Sequence, residues 1–240
     1  MIIEGNVSVK AALLGQQRDV IRIYADKDKH DRDLAWILHR AEERNVEIKL
    51  TDREEIDAMA AGHTHGGLIA EVTPAHWQTL DDCKSELPFY ALAEGVEDPY
   101  NLGYIMRTLY TAGCTGLLLR NRNWENAEPT IIKASAGASE YLNVVMCDDL
   151  ASSVKELKKQ GIVCYAGMRK DAIVYTKADM TKPLLLAIGG EMRGLSSSVV
   201  KEMDQNIYIP YANDFRNALN ASAAAAVMAF EVQRQRESVF

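Results

Sequence analysis

The sequence predicts an α/β protein, a small α/β unit followed by a larger parallel sheet with helices on both faces. Three observations predict it. From residue 88 onward, short apolar runs recur at Phe89–Ala93, Gly116–Leu119, Asn143–Met146, Ile162–Ala166, Leu184–Ile188 and Ile207–Ile209, with helical stretches between most of them. The runs are continuous rather than alternating, as strands buried on both faces are. The last two runs, in PLLLAIGGEMRGLSSSVV and NIYIPYANDF, each end in a loop bearing Gly or Asn, and the alanine-rich RNALNASAAAAVMAFEVQRQR follows. Loops at the carboxyl ends of parallel strands are where open α/β sheets place ligands. Gly189, Gly190, Glu191, Ile209, Leu219 and Asn220 are therefore expected to gather into one site.

Taken in order, residues 1–73 form the small unit. Val7–Leu14 is a helix stopped by Gly15, and Val20–Tyr24 is a strand rich in β-branched residues. Asp33–Arg44 carries Leu34, Ile37, Leu38 and Ala41 at helical spacing, and Val46–Leu50 is a second strand. Thr51 or Asp52 caps a short helix through Met59, with Glu54 and Glu55 favourably placed in its first turn. The glycine-rich GHTHGG then runs into a strand at Leu68–Val72. Residues 74–87, with Pro74, Trp77 and DDCKSE, lack periodicity and mark a linker able to flex.

Residues 88–240 form the larger domain. Its helices are expected at Asn101–Ala112 with Gly113 as C-cap, at Pro129–Gly137, at Asp149–Gln160, at Ser196–Met203 and at Asn217–Arg236. Met168–Lys182 fits no element and is expected as a loop, with room for a short hairpin.

Composition bounds the function. At 240 residues, 48% hydrophobic and 25% charged, the chain has the makings of a substantial core. A net charge of −7 excludes a uniformly basic coat and leaves room for a local basic patch. Cys83, Cys114, Cys147 and Cys164 are widely spaced with no CxxC, as in buried thiols of a reducing cytoplasm. No apolar run reaches the roughly 20 residues of a membrane helix, and the amino terminus has no signal pattern. A cytoplasmic protein is expected.

Several chemistries lack their residues. There is no GxGxxG after the first strand of the larger domain, no GxxxxGK[ST] and no GxSxG. His63 and His65 stand in a loop without a Cys or Asp beside them, so no metal is expected. A polar set on strand ends remains. Asn101, Gly103 and Arg107 follow the strand at Phe89–Ala93. By spacing alone Asn101 is equally an N-cap and Arg107 equally a solvated arginine. Glu191 follows a glycine pair that would let a ligand touch main chain, or it is a loop carboxylate paired with Arg193.

Three segments resemble, in order, the motifs of the SpoU/TrmH family of RNA ribose 2′-O-methyltransferases in the SPOUT superfamily: NLGYIMRTLYTAG, LLLAIGGEMRGLS and IYIPYANDFRNALNASAAAAVMAFEVQRQR. KASAGASEYLNV between the first two is also similar to the family. The resemblance spans residues 88–236. The amino-terminal part more weakly resembles the L30e-like substrate-binding domain of larger members, best in GHTHGGLIAEV.

The resemblance implies a trefoil knot, a homodimer packed through the final helices, and S-adenosylmethionine held largely by backbone at Gly189, Gly190, Ile209 and Leu219. It implies Arg107 as the catalytic residue, with Asn101 and Glu191 holding the arginine and the ribose and Asn220 fixing the last loop. The implied substrate is structured RNA, ribosomal or transfer. A guanidinium stays protonated in proteins, so Arg107 is expected to orient the hydroxyl and stabilise developing negative charge rather than remove a proton. Arg120, Arg122, Arg169, Lys170, Arg193 and Arg216 are candidates to meet phosphates. One departure stands out: Ala218-Leu219-Asn220 occupies the place of the family's Ser-Leu-Asn. The alternative it raises is a catalytically weak or inactive RNA-binding or assembly factor on the same fold.

Overall fold

The computed structural model describes residues 1–237. The chain divides into two compact units, Met1–His76 with Asn123–Tyr141, and Trp77–Arg122 with the chain from Leu142 onward.

The first unit begins with β1 (Ile2–Glu4) and α1 (Gly5–Leu14), followed by β2 (Val20–Asp26), α2 (Arg32–Glu43), β3 (Glu47–Thr51), α3 (Arg53–Met59) and β4 (Leu68–Val72). The sheet order is β1-β4-β2-β3, with β2 and β3 parallel and β4 antiparallel to both its neighbours. The spacing read in α2 is the buried face: Leu34, Ile37 and Ala41 pack with Ile3, Val9, Leu13 and Ile23. Asp31 caps α2 by accepting from the Leu34 N–H at 2.8 Å. β1 is an addition to the expected elements; three residues give no readable period.

The second unit opens with β5 (Phe89–Glu94), α4 (Pro99–Thr111) and β6 (Gly116–Arg120). The chain then contributes α5 (Glu128–Ala134) to the first unit before returning as β7 (Val144–Cys147), α6 (Leu150–Lys159), β8 (Val163–Gly167), β9 (Ala172–Val174), β10 (Leu184–Gly189), α7 (Ser197–Val200), β11 (Gln205–Tyr208) and α8 (Ala221–Glu237). The order is β7-β6-β5-β10-β8-β11-β9, and the recorded pairings are parallel. The six expected strands are present. β9 corrects the reading of 168–182: it is a strand paired parallel to β11, not half of a hairpin. α8 starts at Ala221 rather than Asn217, because residues 212–220 form an exposed loop and Asn220 supplies the cap.

One face of the sheet packs Tyr90, Leu92, Leu118, Leu185 and Cys164 against Leu150, Val154 and Leu157 of α6 and Val199 of α7. Each such leucine or valine contributes about 1.5–3 kcal/mol on burial. On α8, Ala225 and Ala229 are fully buried where the helix meets α4 and β10, so the alanine run serves close approach. All four cysteines are free and buried, and burial pushes their thiols up, to about 11 for Cys83 and about 12 for Cys114 and Cys164.

Two expected boundaries change. Residues 77–87 are packed onto the second unit rather than forming a free linker. The Gln78 N–H donates to the Val144 carbonyl at 2.9 Å, Tyr90 Oη donates to the Cys83 carbonyl at 2.5 Å, and Cys83 is fully buried. Residues 123–141, expected within the larger domain, belong to the first unit. Arg18 bridges Glu128 and Glu140, each at 2.7 Å, with all three side chains at most 4% exposed. Ile132 enters the core of the first unit. Gly137, at φ +82°, lies so close to α1 that a Cβ there would meet the Ala11 Cβ at 2.3 Å. The KASAGASEY stretch is therefore a docking segment for α1.

Candidate active site

β10 ends at Gly189, and the chain turns at once. The Gly190 N–H donates to the Glu94 carbonyl at 2.7 Å and the Gly194 N–H returns to the Gly190 carbonyl at 3.0 Å. A Cβ on Gly190 would stand 1.9 Å from the Gly95 carbonyl oxygen, and one on Gly189 would stand 2.7 Å from the backbone of Gly194 and Leu195. The fold gives the glycine pair a steric cause of its own. Glycine is required at both positions where two chain segments cross this closely. Gly190→Ala is expected to destabilise the protein by about 3 kcal/mol, read as a lowered urea midpoint; an unchanged midpoint would refute the close crossing.

Two cavities open at the carboxyl ends of the strands. The first, of about 230 Å³, is lined by Gly167, Ile188, Gly189, Ile207, Ile209, Leu219 and Met228, with Arg169, Tyr211 and Ala218 also in its wall. The second, of about 310 Å³, is lined by Gly95–Asp98, Asn101, Gly190–Arg193 and Ala221. Ala221 also lines the first, so the first residue of α8 separates the two. Glu94, buried at the end of β5, accepts from the Ser196 N–H at 2.7 Å and lies 3.8 Å from Arg120. That contact anchors the loop after β10 to the end of β5.

The expected site residues divide among these places. Gly189, Ile209 and Leu219 share the first cavity, while Gly190, Glu191 and Asn101 share the second. Asn101 is not the helix cap: Asp98 caps α4, accepting from the Asn101 N–H at 2.9 Å. Asn220 lines neither cavity and caps α8, its Oδ1 accepting from the Ala223 N–H at 2.8 Å. Arg107 is exposed on α4 and lines neither cavity. Six residues beyond Asn101, it stands about 9 Å further along the helix and on another face.

Among the phosphate candidates, Arg169 is engaged. Its guanidinium lies 4.3 Å from the centroid of the Tyr211 ring and donates to the carbonyls of Arg216 and Asn217 at 3.4 and 3.3 Å. Arg122 donates to the Glu97 carbonyl at 3.3 Å. In the first unit, His65 is buried, with Nε2 2.9 Å from Asp57 and Nδ1 accepting from the Gly67 N–H, so it has a structural task. Among the described residues no cluster of three His, Cys, Asp or Glu side chains could hold a metal, and no helix is long and apolar enough to cross a membrane.

Comparison with known proteins gives the family. Residues 88–230 match the SpoU rRNA Methylase family, and residues 2–78 match the RNA 2′-O ribose methyltransferase substrate-binding domain. The chain belongs to the SpoU/TrmH family. It is 34% identical to YacO of Bacillus subtilis, named as of the TrmH family of tRNA/rRNA methyltransferases, over 94% of this chain and 92% of that one. It is 30% identical to the 23S rRNA (guanosine-2′-O-)-methyltransferase RlmB of Photorhabdus laumondii, over 99% of each chain. Among solved structures, the SpoU methyltransferase AviRb from Streptomyces viridochromogenes in complex with AdoMet superposes with a TM-score of 0.83 at 22% identity, covering 99% of this chain and 91% of that one. Tyr211 lines the first cavity without having been singled out by the sequence, and Arg169, a phosphate candidate, lines the same cavity. Tyr211 stands inside the third motif, but its ring and hydroxyl contacts are made to residues distant in sequence or across a loop.

Proposed function

We infer that this chain transfers the methyl group of S-adenosylmethionine to a ribose 2′-hydroxyl of RNA. One observation carries the reading: residues from the second and third family motifs converge on one cavity, residues from the first and second on its neighbour, and Ala221 lies between. The first cavity suits the cofactor. Its walls are Ile188, Ile207, Ile209, Leu219 and Met228, apolar surface for a purine, and its loops offer main-chain groups at Gly167, Gly189 and Leu219. S-adenosylmethionine supplies an electrophilic methyl on a sulfonium, so the nucleophile is all that the protein must prepare.

The second cavity would then hold the ribose, with Asn101 and Glu191 as hydrogen-bonding groups that orient its hydroxyls. Arg107 would supply the positive charge that favours the alkoxide as the new C–O bond forms. Its place on an exposed helix face is supported by a homodimeric reading. Tyr100, Tyr104 and Arg107 fall within about 60° around α4. Val227 and Phe230 are exposed on α8, which packs against α4. A second copy covering this face would bury the aromatic stripe and bring Arg107 into an enclosed site. The knot belongs to the same proposal, supported by the close crossing at Gly190 and by the return of α8 to β10. The amino-terminal unit is proposed to select the RNA, ribosomal or transfer, in the cytoplasm.

A second reading, a binding factor with weak or no turnover, is favoured by one residue. Ala218 lines the first cavity where the family's serine would place a hydroxyl. Calorimetric titration with S-adenosylmethionine tests the first requirement of the main reading. One saturable site per chain is expected, and a folded protein with no heat of binding would overturn it.

A further inference from the structure

The loop between β11 and α8 carries Ala218 and Leu219 into the wall of the first cavity, yet residues 212–220 are exposed. A loop with so little packing needs some other restraint to hold one conformation. Among the described residues, three hydrogen bonds tie residues 210–219 in place. Two run from the Arg169 guanidinium to the carbonyls of Arg216 and Asn217, and the third from the Leu219 N–H to Tyr211 Oη at 2.8 Å. The Arg169 guanidinium in turn lies over the Tyr211 ring at 4.3 Å. One arginine and one tyrosine thus hold both ends of the loop's inner turn and hold each other.

We propose that Arg169 and Tyr211 are positioning residues that fix the 212–220 loop in the conformation that receives S-adenosylmethionine. The inference rests on the assignment of the first cavity to the cofactor, and it adds two residues to that site. The chemistry requires these side chains. A planar guanidinium can lie flat on a ring while its N–H groups fork to two carbonyls, and an ammonium cannot do both. The tyrosine offers a face to the arginine and an acceptor to the Leu219 amide, and phenylalanine keeps only the face. Leu219 is at once a cavity-lining residue and the anchored residue, so the restraint acts where the ligand binds. Losing it lowers the fraction of molecules with a formed cavity, and apparent affinity falls by that fraction.

Three variants test this: Tyr211→Phe, Arg169→Ala and Arg169→Lys. Amide hydrogen exchange is read first, on the cofactor-free protein. Exchange at Leu219 is expected to rise about tenfold in Tyr211→Phe, with the sheet amides of β10 and β11 unchanged. Steady-state kinetics are read second. The KM for S-adenosylmethionine is expected to rise roughly tenfold in all three variants, the change falling on KM rather than kcat. Arg169→Lys is expected not to restore it. Wild-type exchange at Leu219 in Tyr211→Phe, or unchanged KM in Arg169→Ala, overturns the proposal. Tighter cofactor binding in Tyr211→Phe also overturns it, because the hydroxyl would then compete with the cofactor for the Leu219 amide. A wild-type protein with no saturable dependence on S-adenosylmethionine overturns the cofactor assignment itself, and this role with it. The exchange result separates the two failures, since it needs no ligand.

Discussion

Arg107→Ala is expected to lower kcat for RNA methylation by about 10³-fold while leaving S-adenosylmethionine affinity within about twofold. The split follows from where the side chain stands. Arg107 lies on the exposed face of α4 and lines neither cavity, so its removal takes nothing from the walls of the cavity proposed for the cofactor, at Ile188, Ile209 and Leu219. On the proposed reading, what it removes is a fixed positive charge for the attacking oxygen. A ribose hydroxyl is a weak acid, and its negative charge grows only as the C–O bond forms, so the arginine acts on the transition state and the loss falls on kcat. Arg107→Lys keeps the charge and loses the planar fork, and an intermediate rate is expected. Single-turnover methylation with saturating cofactor, alongside calorimetric affinity, checks both halves. Full activity in Arg107→Ala would remove the residue from the mechanism, and equal losses in affinity and rate would make it a folding residue.

The second large effect is on stability and concerns the first unit. Arg18→Ala is expected to cost about 3–5 kcal/mol, because it leaves the Glu128 and Glu140 carboxylates buried without a counter-charge. The Arg18 guanidinium also donates to the Thr73 carbonyl at 3.2 Å, and Glu128 accepts from the Ala75 N–H at 3.2 Å, so the same group ties the end of the first stretch of the unit to the segment that returns. The combination Arg18→Met, Glu128→Gln and Glu140→Gln removes all three charges and is expected to recover most of the loss. Urea titrations followed by exchange at β2 and β4 amides give the measurement. A loss below about 1 kcal/mol in Arg18→Ala would show that water reaches these carboxylates.

Much of the second unit is legible in the sequence because its signals are local. A continuous apolar run such as Leu184–Ile188 needs no knowledge of its neighbours to be recognised as a buried strand, and Gly and Pro punctuate its ends. β9 escaped because three residues, Ala172–Val174, carry no period, and its place beside β11 is set by pairing across more than 30 positions. The boundary at 123–141 escaped for a related reason. Its allegiance is decided by Arg18, over 100 residues earlier, and by the steric fit of Gly137 on Ala11.

The site shows the same division. Gly189, Ile209 and Leu219 are legible from the loops that end the last strands as well as from the motifs, and the structure gathers them. Asn101 could not be separated from a helix cap by spacing, since Asp98 three residues earlier offers the same chemistry and takes the role. The glycine pair was visible, but its cause was not, because Gly95 and Gly194 approach it only in the folded chain. Arg169 stands in the sequence as a phosphate candidate, and only the fold brings it over Tyr211.

The central claim is a reaction, and one product measurement tests it most directly. The purified protein is incubated with methyl-labelled S-adenosylmethionine and unmodified ribosomal and transfer RNA. The RNA is then digested to nucleosides and separated by mass. The account predicts label in a 2′-O-methyl nucleoside, and its loss in Arg107→Ala. Label on a base, or cofactor binding with no methylated ribose in either RNA, would contradict it.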